Sequence, residues 1–170
     1  MLDLRATALQ DQSLLDALER LLLDATRAHD FEGHFRSQGL EERLPSHLEA
    51  GFYRISQELL SNIGKHAHAT QVDMTIRRVN GSVLLTIVDD GVGFDLDQSR
   101  APGLSGGFGL VGLRERVALL RGYLQIDSAP DEGTCVRVTV PLGEVGSRRE
   151  PAAAGGEGGS NGGANVGLAL

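Results

Sequence analysis

The chain is short of cysteine, of long apolar runs and of positive charge, and each shortage removes a class of function. A single thiol, Cys135, cannot close an internal disulfide. Its place in the alternating run Cys135-Val136-Arg137-Val138 reads as a buried strand position rather than a nucleophile. No apolar stretch approaches the roughly 18 residues that span a bilayer. The opening Met1-Leu2-Asp3-Leu4-Arg5 also lacks the basic-then-apolar order of a signal peptide, so the expectation is a cytoplasmic segment without membrane contact, whatever its parent is anchored to. Sixteen Lys and Arg against twenty-three Asp and Glu give a formal net charge of -7. Such a surface is not built to neutralise a phosphate backbone, and nucleic acid is not expected as a partner. No internal repeat is visible.

What is present is one domain with tails. From Gly143 onward the composition turns to Gly, Ala, Glu and Ser, too poor in apolar area to offset its ordering entropy, so 143–170 is expected to be a disordered Gly-rich tail. Leu14, Leu15, Leu18, Leu21 and Leu22 recur at helical spacing between Gln12 and Ala28, which starts the domain near residue 11. Phe31 to Arg36 has the character of a short strand before the turn at Gln38-Gly39. After Pro45, the run Ser46-His47-Leu48-Glu49 reads as a capping box that starts a helix at about Leu48 and carries it to about Ala67. Val72, Met74 and Ile76 alternate with polar residues, as do Val83, Leu85 and Ile87. Asn80-Gly81 between these runs predicts a hairpin, because both residues tolerate the positive φ of a tight turn. Leu110, Leu113, Val117 and Leu120 then share a helical stripe that ends at Gly122, the expected left-handed C-terminal residue. Tyr123–Ser128 and Thr134–Pro141 flank a five-residue loop and predict a second hairpin. Helices mixed with antiparallel strands give an α+β class, one sheet with helices on a single face.

Three segments carry chemistry. Along the helix from Ser46, residues Glu58, Asn62, Lys65 and His66 fall at offsets of four, seven and eight and project from one face, opposite Phe52, Ile55, Leu59 and Ile63. An acceptor carboxylate, an amide oxygen able to ligate Mg²⁺ and a cationic amine on one line suit a metal-triphosphate, although a solvated polar face has the same pattern. Next, the apolar strand Val83–Val88 runs into Asp89-Asp90-Gly91-Val92-Gly93-Phe94. A carboxylate at a strand end, followed by alternate glycines, lets the backbone approach a flat ligand while the carboxylate accepts from an exocyclic amine such as that of adenine. A tight acidic turn is the plainer explanation. Last, Gly103-Leu104-Ser105-Gly106-Gly107-Phe108-Gly109-Leu110 leads into a helix whose free amides suit phosphate and whose glycines suit a closing lid. Gly107 to Gly112 also satisfies the dinucleotide fingerprint, but that pattern has force only directly after a strand, and 95–106 is polar and glycine-rich. A protein-kinase glycine loop fails as well, because no H-R-D or D-F-G motif follows.

Taken in order, Gln57-Glu58-Leu59-Leu60-Ser61-Asn62-Ile63-Gly64-Lys65-His66-Ala67, Asp89 to Asp95, Gly107 to Val117 and the closing Gly133-Thr134 resemble the nucleotide boxes of the GHKL ATPases. The run Gly112-Leu113-Arg114-Glu115-Arg116-Val117 is most similar to sensor histidine kinases that pair with NarL-type response regulators. The resemblance spans roughly residues 12–142. It implies a Bergerat-type two-layer α/β sandwich with a mixed, mostly antiparallel sheet. It also implies ATP and Mg²⁺ as cofactors, with Asn62 as the Mg²⁺ ligand, Glu58 as the catalytic acidic residue at the reacting end, and Lys65 with His66 on the phosphates. Asp89 would accept from the adenine amine, Gly91 and Gly93 would form the wall beside the base, and Gly107, Gly109 and Leu110 would meet the phosphates. Thr134 would support Asp89 from the neighbouring strand.

Residues 1–10 resemble the junction that follows the dimerising helical hairpin of such kinases, with 11–142 as the ATP-binding domain. The hairpin that carries the phosphoacceptor histidine is not found. His29-Asp30 stands too close before Asn62 to serve and reads as a surface pair, while His66 and His68, two apart, make a poor metal pair. The expectation is a histidine kinase catalytic domain that binds ATP and phosphorylates a histidine on a separate dimerisation domain or chain, phosphorylating itself poorly. The alternative is a stand-alone serine kinase or anti-sigma-like regulator of the same superfamily, binding a protein partner in a nucleotide-dependent way. A nucleotide-binding remnant without turnover is a third.

Overall fold

A computed structural model describes residues 13–95 and 107–143. The junction expected at 1–10, most of the lid expected before Gly107 and the tail beyond Gly143 lie outside the described residues. Helix α1, Leu14–His29, opens on Ser13, whose hydroxyl accepts from the Asp16 amide at 3.2 Å. It buries Leu14, Ala17, Leu18 and Leu22. The helix closes on Asp30 in the left-handed region, φ 58°, with the Asp30 amide bonded to the Thr26 carbonyl at 3.1 Å. After Phe31, strand β1 covers Glu32–Gln38.

Helix α2 runs Ser46–Asn62 and begins earlier than the capping-box reading required. Pro45 is the cap, and its carbonyl accepts from Leu48 and Glu49 amides at 2.8 and 3.1 Å. Ser46 makes no cap, and the buried Glu49 turns its side chain, 7% exposed, to Arg43 at 3.3 Å instead of back to the chain entry. The helix then widens into a π-helical turn, Ile63–Ala67, that ends where His68 adopts φ 52°. The α-helical offsets counted for Lys65 and His66 therefore fail beyond Asn62, because a π turn holds more residues than an α turn.

Strands β2, Gln71–Val79, and β3, Ser82–Asp89, form the expected hairpin, with Asn80 at φ 48° and Gly81 at φ 74°. Helix α3 is Gly107–Leu119. Its left-handed C-terminal residue is Arg121, φ 54°, and not the expected Gly122. The Arg121 amide bonds to Ala118 and that of Gly122 to Val117, both at 2.9 Å, a six-to-one and five-to-two pair that satisfies the last carbonyls. Gly122 is needed one place later for room, since a Cβ there would lie 2.9 Å from the Thr139 carbonyl oxygen. Strands β4, Tyr123–Ser128, and β5, Thr134–Pro141, close the chain with the five-residue loop between them.

The sheet order is β1-β2-β3-β5-β4, with β1 parallel to β2 and the other pairs antiparallel. On one face Val72, Met74 and Ile76, then Val83, Leu85 and Ile87, then Val136, Val138 and Val140 are buried beneath Leu18, Phe52, Ile55, Leu59, Leu113 and Val117 of the helices. Each fully buried Leu, Ile, Val or Phe contributes about 1.5 to 3 kcal/mol by leaving water. The class is α+β, with a mixed, mostly antiparallel sheet as the sequence led one to expect. Cys135 departs from its reading: the alternation of β5 puts it on the other face, beside exposed Val88, where it is only half-buried. Burial still pushes its thiol pKa up, against the pull of Arg137.

Candidate functional site

Strand alternation decides which polar groups can meet. Asp89 continues the buried parity of Val83, Leu85 and Ile87, so its carboxylate points to the helix-covered face rather than to solvent. Register carries that position across the sheet: Val72 pairs with Asp89, Asp89 with Thr134, and Thr134 with Ser128. Asp89, Thr134 and Ser128 thus form a polar row at one end of a face that is otherwise apolar.

Asp89 is 5% exposed. Burial raises its pKa above the ordinary carboxylate value, and the neighbouring charge of Asp90 adds to the rise. The amides of Gly91, 2.9 Å from Oδ1, and of Thr134 oppose it without cancelling it. A half-satisfied, desolvated carboxylate at a strand end is the group expected to accept from a ligand donor.

Asp90 has the contrary surroundings. Its exposed carboxylate accepts from the Thr70 hydroxyl, from the Gln71 amide at 2.8 Å and from the Thr70 amide at 2.7 Å, and these bonds hold its pKa below the usual range. It fastens the loop between the π turn and β2 to the end of β3. Two residues on, the Val92 amide bonds the Ala67 carbonyl at 2.8 Å, and a Cβ at Gly91 would collide with the same Ala67 carbonyl. The strand-end motif and the helix-end motif, separate in sequence, are therefore in direct contact.

The helix contributes its polar residues from a definable side. A Cβ at Gly51 would lie 2.6 Å from Leu120, so this edge of α2 faces the end of α3. Gly51, Ile55, Glu58 and Asn62, spaced four, three and four apart, share that edge. The π turn that follows meets α1, where the ring of His29 rests on Gly64. Glu58 and Asn62 are half-buried, and Lys65 and His66 are exposed on the π turn.

Gly93 shapes the far wall. It sits at φ 58°, and a Cβ would collide with the Ala129 carbonyl and approach the Gly133 carbonyl to 2.8 Å. Its neighbours are tied to the β4–β5 loop: the Asp131 amide bonds the Val92 carbonyl at 2.7 Å, and the Phe94 amide donates to Ser128 Oγ at 3.0 Å. Gly107, Gly109 and Leu110 fall in the first turn of α3, with Leu110 packed partly against the core.

The residues that unite these pieces, Ser128, Asp90, Thr70 and Ala67, were not singled out in the sequence. The five-residue loop was the one available signal for Ser128, since it sets the register that pairs this serine with Thr134. Among the described residues no three His, Cys, Asp or Glu side chains gather into a metal cluster. One amide oxygen together with phosphate oxygens and waters, the ligand set expected around Asn62, does not require such a cluster. A shallow hollow lined by Asp30, Phe31, Glu32, Thr70 and Gln71 opens beside β1 at the same end of the sheet, where Thr70 and Gln71 also hold Asp90.

Comparison with known proteins identifies the family and the fold. Residues 47–144 match the family model of the histidine kinase-, DNA gyrase B- and HSP90-like ATPases. The signal transduction histidine-protein kinase/phosphatase DegS of Brevibacillus brevis is 35% identical over 140 residues, covering 82% of this chain and 35% of the relative. The sensor protein VraS of Staphylococcus aureus is 31% identical over 147 residues, 86% of this chain and 41% of the relative. The chain thus spans between about a third and two fifths of the length of these relatives. Among solved structures, the blue-light activated histidine kinase of Erythrobacter litoralis superposes with a TM-score of 0.66 at 20% identity, over 81% of this chain and 44% of that one. The mycobacterial sensor histidine kinase MprB gives a TM-score of 0.59, also at 20% identity, over 76% of this chain and 95% of that one. At such identities the superpositions speak for the fold.

Proposed function

The chain belongs to the histidine kinase-, DNA gyrase B- and HSP90-like ATPase family, and from that membership we propose that its polar row is the adenine end of an Mg-ATP site serving phosphoryl transfer to a histidine. The single observation that carries this reading is Asp89, a buried carboxylate with spare acceptor capacity, held at a strand end beside glycines whose Cβ positions are taken by the chain's own carbonyls. The acceptor selects an exocyclic amine, and the glycine walls admit a flat base against the backbone. Thr134 stands beside Asp89, and Gly91 and Gly93 line the wall.

Asn62 is the residue that would hold Mg²⁺, which when bound draws charge from the transferring phosphoryl oxygens. Lys65 and His66, exposed on the π turn that touches Gly91 and Val92, would meet phosphate, and so would the first amides of α3 at Gly107, Gly109 and Leu110. Glu58, one turn before Asn62 on the same edge, orders the reacting end. Phosphoryl transfer requires mainly positioning and charge stabilisation, and these groups supply both. The nucleophile must come from elsewhere: an acceptor histidine on a dimerisation domain or a second chain, with a NarL-type response regulator as the final acceptor.

The test is label transfer. Incubated with γ-labelled ATP, magnesium and an isolated dimerisation domain from a kinase of the DegS or VraS kind, the protein is expected to place acid-labile label on that domain. Acid-stable label on an anti-anti-sigma protein, with none on the dimerisation domain, would instead support the serine-kinase reading. No heat on titration with magnesium and a non-hydrolysable ATP analogue would remove the site altogether.

A further inference from the structure

We propose that Ser128 determines the hydrogen-bonding polarity of the base pocket, by taking up the single hydroxyl proton of Thr134 and leaving that residue able only to accept. The inference rests on reading the row as the adenine site, and it follows from counting protons.

A serine hydroxyl has one proton and two lone pairs. The Gly133 carbonyl can only accept, so the Ser128 proton goes there, at 2.9 Å. The Phe94 amide can only donate, and at 3.0 Å it fills one lone pair of Ser128 Oγ. Thr134 Oγ1 lies 3.0 Å from the same oxygen. With the Ser128 proton already committed, Thr134 must be the donor in that contact. Ser128 is then saturated, and Thr134 has only lone pairs left.

The next group along the row is Asp89, also an acceptor when ionised. Beside a ligand the row therefore presents two acceptors in succession and no side-chain donor. A 6-amino purine, whose amine has two N–H groups, matches that edge directly or through water. A 6-oxo purine turns a carbonyl oxygen toward the same acceptors and is rejected. Asp89 alone leaves this discrimination incomplete, because a freely rotating threonine hydroxyl beside it would swing round and donate to the 6-oxo group. Ser128 removes that option. It is a positioning and specificity-determining residue that does not itself touch the base.

The experiment compares Mg-ATP with Mg-ITP by calorimetric titration of the full chain. The wild type is expected to prefer ATP, and Ser128→Ala to narrow the preference by about tenfold, the effect of one buried hydrogen bond gained by the wrong ligand. Ser128→Thr, which keeps the hydroxyl, should restore the preference. In a Thr134→Val background Ser128→Ala should leave the ratio unchanged, because there is no threonine proton to release. If Ser128→Ala does not fold, Ser128→Cys takes its place, and its weak thiol should narrow the ratio in the same sense. A variant that weakens both nucleotides equally, with the ratio intact, overturns the inference while the site stands. A wild type that binds neither nucleotide overturns the site and the inference with it.

Discussion

The two ends of the central β2–β3 hairpin use the same backbone device under opposite conditions. At the turn end, Gly81 has φ 74° and nothing lies within 4 Å of where its Cβ would stand. At the other end, just past β3, Gly93 has φ 58° and its Cβ position is occupied by two carbonyl oxygens. The first glycine serves only the turn, whereas the second lets the loop after β3 touch the β4–β5 loop. Conformational strain at an open turn is a local cost, but strain in a packed corner spreads to every group that lines it. Gly93→Ala should accordingly show the largest effect, a loss of about 3 kcal/mol or more from combined left-handed strain and overpacking. ATP binding should vanish with it, as read by denaturant unfolding and calorimetry. A loss no greater than that of Gly81→Ala would erase the distinction between the two ends.

Within the site end, Asp89 and Asp90 repeat the contrast at adjacent residues. Burial raises the folded pKa of Asp89, so its ionised form costs stability at neutral pH and the cost shrinks as pH falls through that raised value. Asp89→Asn should leave the ligand-free protein at least as stable at pH 7 while weakening ATP by about tenfold, the loss of one charge-assisted bond. Wild-type affinity should also decline on acidification at a higher pH than an ordinary carboxylate would impose. Asp90 has the opposite sign. Its lowered folded pKa stabilises the protein above the unfolded value, and that contribution is lost as pH falls through the folded one. The group is exposed and screened by solvent, so Asp90→Ala should bring only a modest drop in melting temperature, one that disappears in acid. If Asp89→Asn destabilised the free protein instead, the carboxylate would be a structural group and not one reserved for a ligand.

How much of this was legible follows from how local each feature is. The Asn80-Gly81 turn and the five-residue loop after Ser128 are written in turn chemistry, and both hairpins formed, the second with its expected bounds and the first with β3 reaching Asp89, one residue past the expected Val88. Asp89 was visible because a carboxylate interrupts an apolar strand at its last position. The two helix termini closed by Asp30 and Arg121 were hidden, since a left-handed residue other than glycine leaves no compositional mark. The capping box at Ser46 misled because Pro45 can occupy the cap and Glu49 has a better partner in Arg43. Neither the π turn nor the roles of Asp90 and Ser128 could be read from neighbours in sequence. They depend on which strand ends are brought together, 19 to 34 residues apart, by the completed sheet.

The turn end offers the two smallest effects. Gly81→Ala should cost about 1 kcal/mol, the left-handed penalty of an ordinary residue with no collision added, and leave nucleotide affinity unchanged.

Arg121 lies at that same end, because the adjoining Gly122 abuts Thr139 and Val140, and Val140 pairs with Val83 next to the turn. Its φ of 54° strains a residue that has a Cβ, in a cap whose hydrogen bonds come from the backbone alone. Arg121→Gly relieves that strain but gives the unfolded chain more freedom to lose. Natural preference for glycine at this helix position indicates that relief wins, by about 0.5 to 1 kcal/mol. The expected result is a melting temperature a few degrees higher with ATP affinity unaltered, measured on the same preparation. Left-handed strain away from the row would then be removable at no functional cost. A gain in stability accompanied by weaker ATP binding would instead mean that the end of α3 transmits its geometry to the pocket, and the separation of the two ends would fail.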